Sequence, residues 1–374
     1  MTLEGDEASA VESNGQRGNW KKKLLTIGQI GVTLTILYFV FRDPVKRAQM
    51  AEAISNANHL WLLGGFVLYG LVELIGVWRW HLLLKVQGIT LHWTRLIALL
   101  LIGLFFNYFI PGGTGGDVVK IFYLLKETPG QRGQALLSVL VDRLIGIIAL
   151  CVFAGVLAVM HWSWLTSSPD TGNYVWATLI LLGSSLGGLH FTYIVTKHGW
   201  IHKLPAKFPG RDKLAELALA YNLYGKAWRV TLIALVISIL AHAGYYGVFS
   251  CAAESFRQPT VRVPSYLELC VIMPVVSTIT AMPISLGGIG VRERLFEIFL
   301  GALCGVTPAV AVVISSVGYL LTLAWGLLGG VVYMFYRPTE HVRLRQIEAD
   351  VEAFEHVVAE KEIALEAVAR EHRP

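Results

Sequence analysis

Charge is scarce in this chain. Only 15% of its 374 residues are Asp, Glu, Lys or Arg while 55% are apolar, whereas a soluble domain carries about 25% charge. With a mean hydropathy of +0.57, that excludes an ordinary soluble globule. Cysteine is equally rare: Cys151, Cys251, Cys270 and Cys304 all fall inside apolar segments and none belongs to a CxxC pair. No disulfide framework or zinc site is implied. Neither the Walker spacing nor a strand-borne dinucleotide fingerprint is present, so nucleotide chemistry has no sequence support. The 31 basic residues exceed the 26 acidic ones but are scattered between apolar runs, which removes nucleic acid as the implied partner. Lys21, Lys22 and Lys23 precede the apolar run Leu24 to Phe41 as in a secretory signal, yet no small-residue cleavage site follows. This run reads as an uncleaved first span, behind a polar segment 1–19 expected to lack order.

Long apolar runs are what the chain has in abundance. Tyr174 to Thr196, Trp228 to Ala253 and Ala309 to Phe335 are each long enough to cross a bilayer of about 30 Å as helix. Lys and Arg favour cytoplasmic loops. Arg17 and the three lysines place the N-terminus inside, Leu24 to Phe41 exits, and Leu60 to Val77 returns to a loop holding Arg79, Lys85 and Arg95. Residues 161–173 lack Lys and Arg and read as outside, so the span Ala135 to Met160 begins inside, beside Lys126 and Arg132. Between these two inside loops lies only Leu96 to Ile110, then PGGTGGD, then VVKIFYLL. A helix of that first stretch rises only about 22 Å, short of the apolar thickness. A re-entrant hairpin follows: helix in, turn at Pro111 to Gly116, helix back over Asp117 to Leu125. Non-helical backbone at such depth persists only where protein or a water-filled cavity surrounds it.

The second half repeats this order. Tyr174 to Thr196 leads to a lysine-rich inside loop, Trp228 to Ala253 exits, residues 266–304 carry Pro274, Pro283, Gly287, Gly288 and Gly290, and Ala309 to Phe335 returns inside. The expected fold is an all-α membrane protein with six transmembrane helices and two re-entrant helical hairpins, arranged as an inverted repeat. Broken helices meeting near the midplane are a recurring plan of secondary transporters. The units are a cytoplasmic N-terminus 1–19, a first repeat 20–160 with hairpin 96–126, a second repeat 174–336 with hairpin 266–304, and a cytoplasmic C-terminal helix 337–374. The competing count makes residues 96–110 and 118–134 two full spans.

Candidate binding residues cluster at the two glycine turns. Glycine permits close approach, and backbone N–H groups at a helix N-terminus attract anions. Gly112, Gly113, Thr114, Gly115, Gly116, Asp117 and Lys120 therefore read as orienting a polar head group, with a tight packing turn as the alternative. Asp142 and Arg143 stand inside a span, and an intramembrane ionisable residue is a functional-site hypothesis by default. On spacing, Asp142 meets Lys120, and Arg143 meets Asp117 or a substrate phosphate; a neutralised structural pair is the other reading. Arg292, Glu293 and Arg294 follow Gly290, and arginine suits phosphate through its planar fork; an interfacial anchor is the other reading. Glu73 sits inside the second span as an acceptor of a proton or cation, or as a helix cap. His190 and His242 read as packing residues. Trp61, Trp78, Trp162, Trp164 and Trp228 read as interfacial anchors.

The segments NYFIPGGTGGDVVK, ALLSVLVDRLIG and MPISLGGIGVRE resemble the signature segments of the lysylphosphatidylglycerol synthase transmembrane-region family of flippase-like membrane proteins. The resemblance covers about residues 24–336 and, by the family pattern, falls on Asn107, Pro111, Gly112, Gly113, Gly115, Gly116, Asp117, Asp142, Arg143, Pro283, Gly287, Gly288, Gly290 and Glu293. It implies translocation of a lipid with a polar head group, here across the bacterial cytoplasmic membrane; the Lys and Arg distribution puts both termini in the cytoplasm, and no cofactor or metal is expected. The partners implied are a membrane lipid, a second copy of the chain or a lipid-synthesis enzyme, and no nucleic acid. The soluble aminoacyl-transfer domain of the family's peptide-resistance members does not follow here. An enzyme acting on a phospholipid or polyprenyl-linked sugar, with Asp117 or Asp142 as base, is the alternative.

Overall fold

The computed structural model describes residues 44–109, 115–129, 131–197, 222–282 and 284–337, with single positions 38, 42 and 220. The first expected span, Leu24 to Phe41, and the tails at 1–19 and 338–374 lie outside the described residues, apart from position 38. The described residues form helices α1 (Pro44–Ser55), α2 (His59–Val86), α3 (Trp93–Phe109), α4 (Gly115–Glu127), α5 (Arg132–Met160), α6 (Trp162–Leu165), α7 (Pro169–Lys197), α8 (Trp228–Ser255), α9 (Tyr266–Thr280), α10 (Val291–Cys304) and α11 (Pro308–Phe335), plus a 3₁₀ turn at Leu286–Gly288. Among them the only β pairing is an isolated bridge between Gln258 and Val261.

Five helices, α2, α5, α7, α8 and α11, are long and apolar enough to cross a membrane, whereas α3 and α9 are apolar but too short. Large apolar side chains line their outer faces, among them Leu63, Val67, Val156, Ile180, Leu240 and Val331. A water-soluble protein would bury a surface of that extent.

Helix α2 runs further than the apolar run suggested. No glycine or proline interrupts residues 77–87, and the helix closes at Gly88, whose φ of +75° suits only glycine. Arg79 and Lys85 are therefore helical and do not lie in a loop. At its other end Asn58 caps the helix, its side chain accepting from the Leu60 N–H at 3.0 Å, while its own N–H donates to the Ser255 carbonyl at 2.7 Å. That bond ties the start of α2 to the end of α8, and the two helices pack antiparallel along their length. Glycines make the close approach: a Cβ on Gly244 would meet Val72 at 2.6 Å, and one on Gly65 would meet the Cys251 Cβ of α8 at 3.1 Å and Leu321 of α11 at 2.8 Å. Small residues at such crossings drive helix association in lipid, where the hydrophobic effect contributes little.

The two short apolar helices each begin a hairpin. The base of α3/α4 packs with the ends of α2 and α11 and the start of α5, through Leu84, Ile89, Leu96, Leu124, Leu125 and Ala135. The base of α9/α10 packs at the opposite end of the bundle, where α11 starts and α8 finishes, through Leu269, Leu300, Ala253 and Ala309. Every packed pair among α2–α5 recurs as the corresponding pair among α8–α11, and the contact of α3 with α11 is matched by that of α9 with α5.

Candidate functional site

The first hairpin closes on backbone. Gly116 lies so near Gly103 that a Cβ would collide with the Gly103 carbonyl oxygen and the Asn107 side chain. Asn107 Oδ1 accepts the Gly116 N–H at 3.1 Å, so this candidate residue is engaged in holding the tip together. Gly115 opens α4. Gly112, Gly113 and Thr114, with Pro111, lie outside the described residues.

A charged cluster sits one turn below. Asp142 on α5 takes two hydrogen bonds from Arg79 on α2, from Nε at 2.8 Å and from Nη2 at 3.0 Å, and Arg79 Nη1 donates to Ser238 on α8 at 2.9 Å. Three spanning helices are thereby joined through one guanidinium. Arg143 pairs with Asp117, as the spacing suggested. Asp142 takes Arg79 as its partner rather than Lys120. Lys120, 8% exposed, rests its ammonium 3.7 Å from the centre of the Trp80 ring and has no ion-pair partner among the described residues. Such a contact offsets only part of the cost of taking a charge out of water. Glu73 lies in the field of both Lys120 and Arg79.

The second hairpin turns through positive φ at Gly287 (60°), Gly288 (76°) and Gly290 (85°). Glu293 caps α10: one carboxylate oxygen accepts the Gly290 N–H at 2.6 Å, and the other accepts from Ser315 Oγ on α11 at 3.2 Å. The Arg292 guanidinium carbon lies over the Tyr319 ring, 4.1 Å from its centre, and Nη2 donates to the Gly287 carbonyl at 2.9 Å. It too lacks an ion-pair partner among the described residues, though only 6% exposed. Arg294 is exposed and pairs with Glu297 at 3.1 Å, away from the turn.

A row of tyrosines joins the two clusters. Tyr319 meets Tyr108 edge to face at 5.5 Å, the hydroxyls of Tyr108 and Tyr69 lie 3.5 Å apart, and Tyr69 packs against Tyr245 at 6.3 Å. Glu73 follows one helical turn after Tyr69. Tyr108, Tyr245 and Glu73 are each half-buried among these helices. The spacing that separates Asp117 from Glu293 also separates Arg143 from Tyr319 and Gly116 from Arg292. At that offset each half carries an acid near the start of the helix after its glycine turn, with a cation on the following span in the first half and on the hairpin helix in the second.

Outside this row, a cleft of about 670 Å³ opens between α5, α7 and α8, lined by Val141, Leu144, Leu186, His190, Trp228 and Leu232. His190 therefore faces a groove, while His242 reaches the Gly146 carbonyl at 3.3 Å as a packing residue does. Sequence reasoning missed Arg79, Ser238, Ser315 and the four tyrosines. A basic residue with no helix breaker on either side was the available signal for the first.

A protein-family model described as the lysylphosphatidylglycerol synthase TM region matches residues 26–330. A UPF0104 membrane protein of Pyrococcus horikoshii is 31% identical over 135 residues, 36% of this chain and 39% of its own. One from Methanocaldococcus jannaschii is 27% identical over 126 residues, 33% of this chain and 36% of its own. A third, from Methanothermobacter thermautotrophicus, is 26% identical over 136 residues, 36% and 38%. The chain thus spans less than two fifths of the length of these relatives.

Proposed function

Because the chain belongs to the lysylphosphatidylglycerol synthase transmembrane-region family and is a multi-pass membrane protein, we propose that it moves a lipid with a polar or anionic head group between leaflets of the cytoplasmic membrane. The observation that carries the proposal is the row of polar groups between the spanning helices, with a buried cation on each hairpin that has no ion-pair partner among the described residues: Lys120 at one end, Arg292 at the other. An isolated buried charge is costly, and an anionic head group entering beside it repays that cost.

In this reading the head group passes along Asp117, Lys120, Asp142, Arg143, the tyrosines and Arg292 while the acyl chains stay in the hydrocarbon. Arg79 and Arg143 hold the carboxylates of Asp142 and Asp117 and so keep them from neutralising the cation at Lys120. The apolar cleft beside Asp142 accommodates a hydrocarbon tail. The topology that goes with it has six spans, Leu24 to Phe41 being the first, and both hairpins re-entrant in an inverted repeat of residues 20–160 and 174–336. The antiparallel packing of α2 on α8, and the hairpin bases at opposite ends of the bundle, support that topology. Lys85, Arg95, Lys126 and Arg337 gather at the base of the first hairpin, which supports a cytoplasmic placement for that end. Nothing comparable supports an enzymatic role, since both candidate bases are held by arginines.

Reconstitution in liposomes with fluorescent head-group lipids tests the proposal. Wild type accelerates leaflet exchange, and Asp142→Ala and the milder Asp142→Asn abolish the acceleration. Equal exchange in wild-type and Asp142→Asn vesicles, with both proteins folded, refutes it.

A further inference from the structure

The turn Ser285–Gly290 and Arg292 form a second environment with unmet hydrogen-bonding capacity. Arg292 Nη1 and Ser285 Oγ are both buried and have no hydrogen-bond partner among the described residues. Arg292 is 6% exposed and Ser285 5%. Buried donors of this kind are rare, because each forfeits its hydration without a replacement. The guanidinium is fixed on its other sides. Nη2 is held by the Gly287 carbonyl at 2.9 Å, and the guanidinium carbon sits 4.1 Å from the centre of the Tyr319 ring. A Cβ on Gly288 would lie 3.1 Å from Nη2, and one on Gly287 would lie 3.1 Å from the Tyr319 hydroxyl, so guanidinium, phenol and turn are in immediate contact. The turn leads into the N-terminus of the 14-residue helix α10, whose field adds to the attraction for an anion.

We propose that this turn is a docking site for a singly charged phosphodiester of a lipid head group, whose non-bridging oxygens accept hydrogen bonds from Arg292 Nη1 and Ser285 Oγ. The site deepens the transport reading and rests on it for the lipid; the oxyanion chemistry stands on the turn itself. Its charge sets the class of ligand. One guanidinium supplies a single positive charge, and the Glu293 carboxylate, buried and hydrogen-bonded to the Gly290 N–H at 2.6 Å, opposes a second negative charge. A phosphate monoester dianion or a diphosphate therefore fits poorly. The first hairpin does not duplicate the site: the position spaced like Arg292 is Gly116, which has no room for a side chain.

The test uses the full chain in maltoside micelles, titrated calorimetrically with dihexanoyl-phosphatidylglycerol below its micelle concentration, dihexanoyl-phosphatidic acid and inorganic phosphate. The diester is expected to bind at least tenfold more tightly than either of the others. Arg292→Gln is expected to lose tenfold or more of that affinity and Ser285→Ala about threefold to tenfold, the span of one charged and one neutral hydrogen bond. Arg294→Gln, on the exposed side of α10, is expected to bind as wild type. Ser285→Ala removes one oxygen and keeps the measurement interpretable should Arg292→Gln fail to fold. Diester affinity unchanged in folded Ser285→Ala and Arg292→Gln overturns the site, and equal affinity for inorganic phosphate overturns its assignment to a lipid diester. Diester binding without leaflet exchange refutes the transport reading and leaves the site standing.

Discussion

Asp142 is held at both carboxylate oxygens by one side chain, Arg79, at 2.8 and 3.0 Å across the interface of α5 and α2. The pair is largely shielded, and Arg79 passes the connection on to Ser238 of α8. Breaking a buried pair leaves an uncompensated charge, at a cost of about 3–5 kcal/mol. Arg79→Met alone is expected to lower thermal stability in detergent by that order. Arg79→Met combined with Asp142→Leu is expected to recover most of the loss, because both charges leave together. A double variant no more stable than the single one would show that the pair does not act as a unit.

The tip of the first hairpin depends on the absence of a side chain. A methyl at Gly116 would meet the Gly103 carbonyl oxygen, a backbone atom that cannot swing aside. Gly116→Ala is therefore expected to destabilise by about 1–3 kcal/mol, the range for overpacking. Gly64→Ala is the control: nothing lies within 4 Å of its would-be Cβ, and it sits in the interior of α2, where alanine is favoured by up to about 1 kcal/mol. Thermal unfolding of the two variants should move in opposite directions.

Much of this architecture was legible because lipid imposes long apolar helices, and α7, α8 and α11 fall close to the runs that announced them. The shortness of α3 was legible from its apolar stretch, which stops before a run of glycines, and α3 packs against α4 as that stop implies. The pairing of Arg143 with Asp117 followed from their placement across a hairpin and a span. Arg79 was not legible, because the positive-inside argument assigns a basic residue near the end of an apolar run to a loop. Only the uninterrupted helix to Val86 shows that it turns inward to Asp142. The tyrosine row escaped for another reason: Tyr69, Tyr108, Tyr245 and Tyr319 lie on four helices, and no spacing within one helix brings them together. Helix α1 also went unread, since Pro44 after Arg42 and Asp43 suggests a loop, while proline is in fact well suited to the first turn of a helix.

Lys120 separates stability from function. Its ammonium is buried over Trp80 without an ion-pair partner among the described residues, so Lys120→Met keeps the volume and removes the desolvated charge. The variant is expected to be as stable as wild type or more so, since a well-packed apolar residue replaces a buried ion at little cost. Leaflet exchange is expected to fall tenfold or more. Wild-type exchange rates in a folded Lys120→Met protein would remove this residue from the pathway.

At the base of the first hairpin, Tyr336 donates to Glu127 at 2.7 Å, and Arg95 reaches the same carboxylate oxygen at 3.3 Å while also donating to the Arg337 carbonyl at 2.7 Å. This latch fastens α3 and α4 to the end of α11. Burial, reinforced by the bond to Glu127, pushes the Tyr336 phenol well above its ordinary range. A group that binds its proton more tightly when folded contributes stability that is complete below its unfolded pKa, about 10 for tyrosine, and is lost as the pH rises through the folded value. The latch is thus expected to be insensitive to pH between about 6 and 9 and to weaken only in strong alkali. Tyr336→Phe removes one hydrogen bond, worth about 1 kcal/mol, and abolishes that alkaline dependence. Hydrogen exchange at the end of α4 should rise in this variant at neutral pH. Exchange unchanged from wild type would mean that Arg95 alone holds the hairpin to α11.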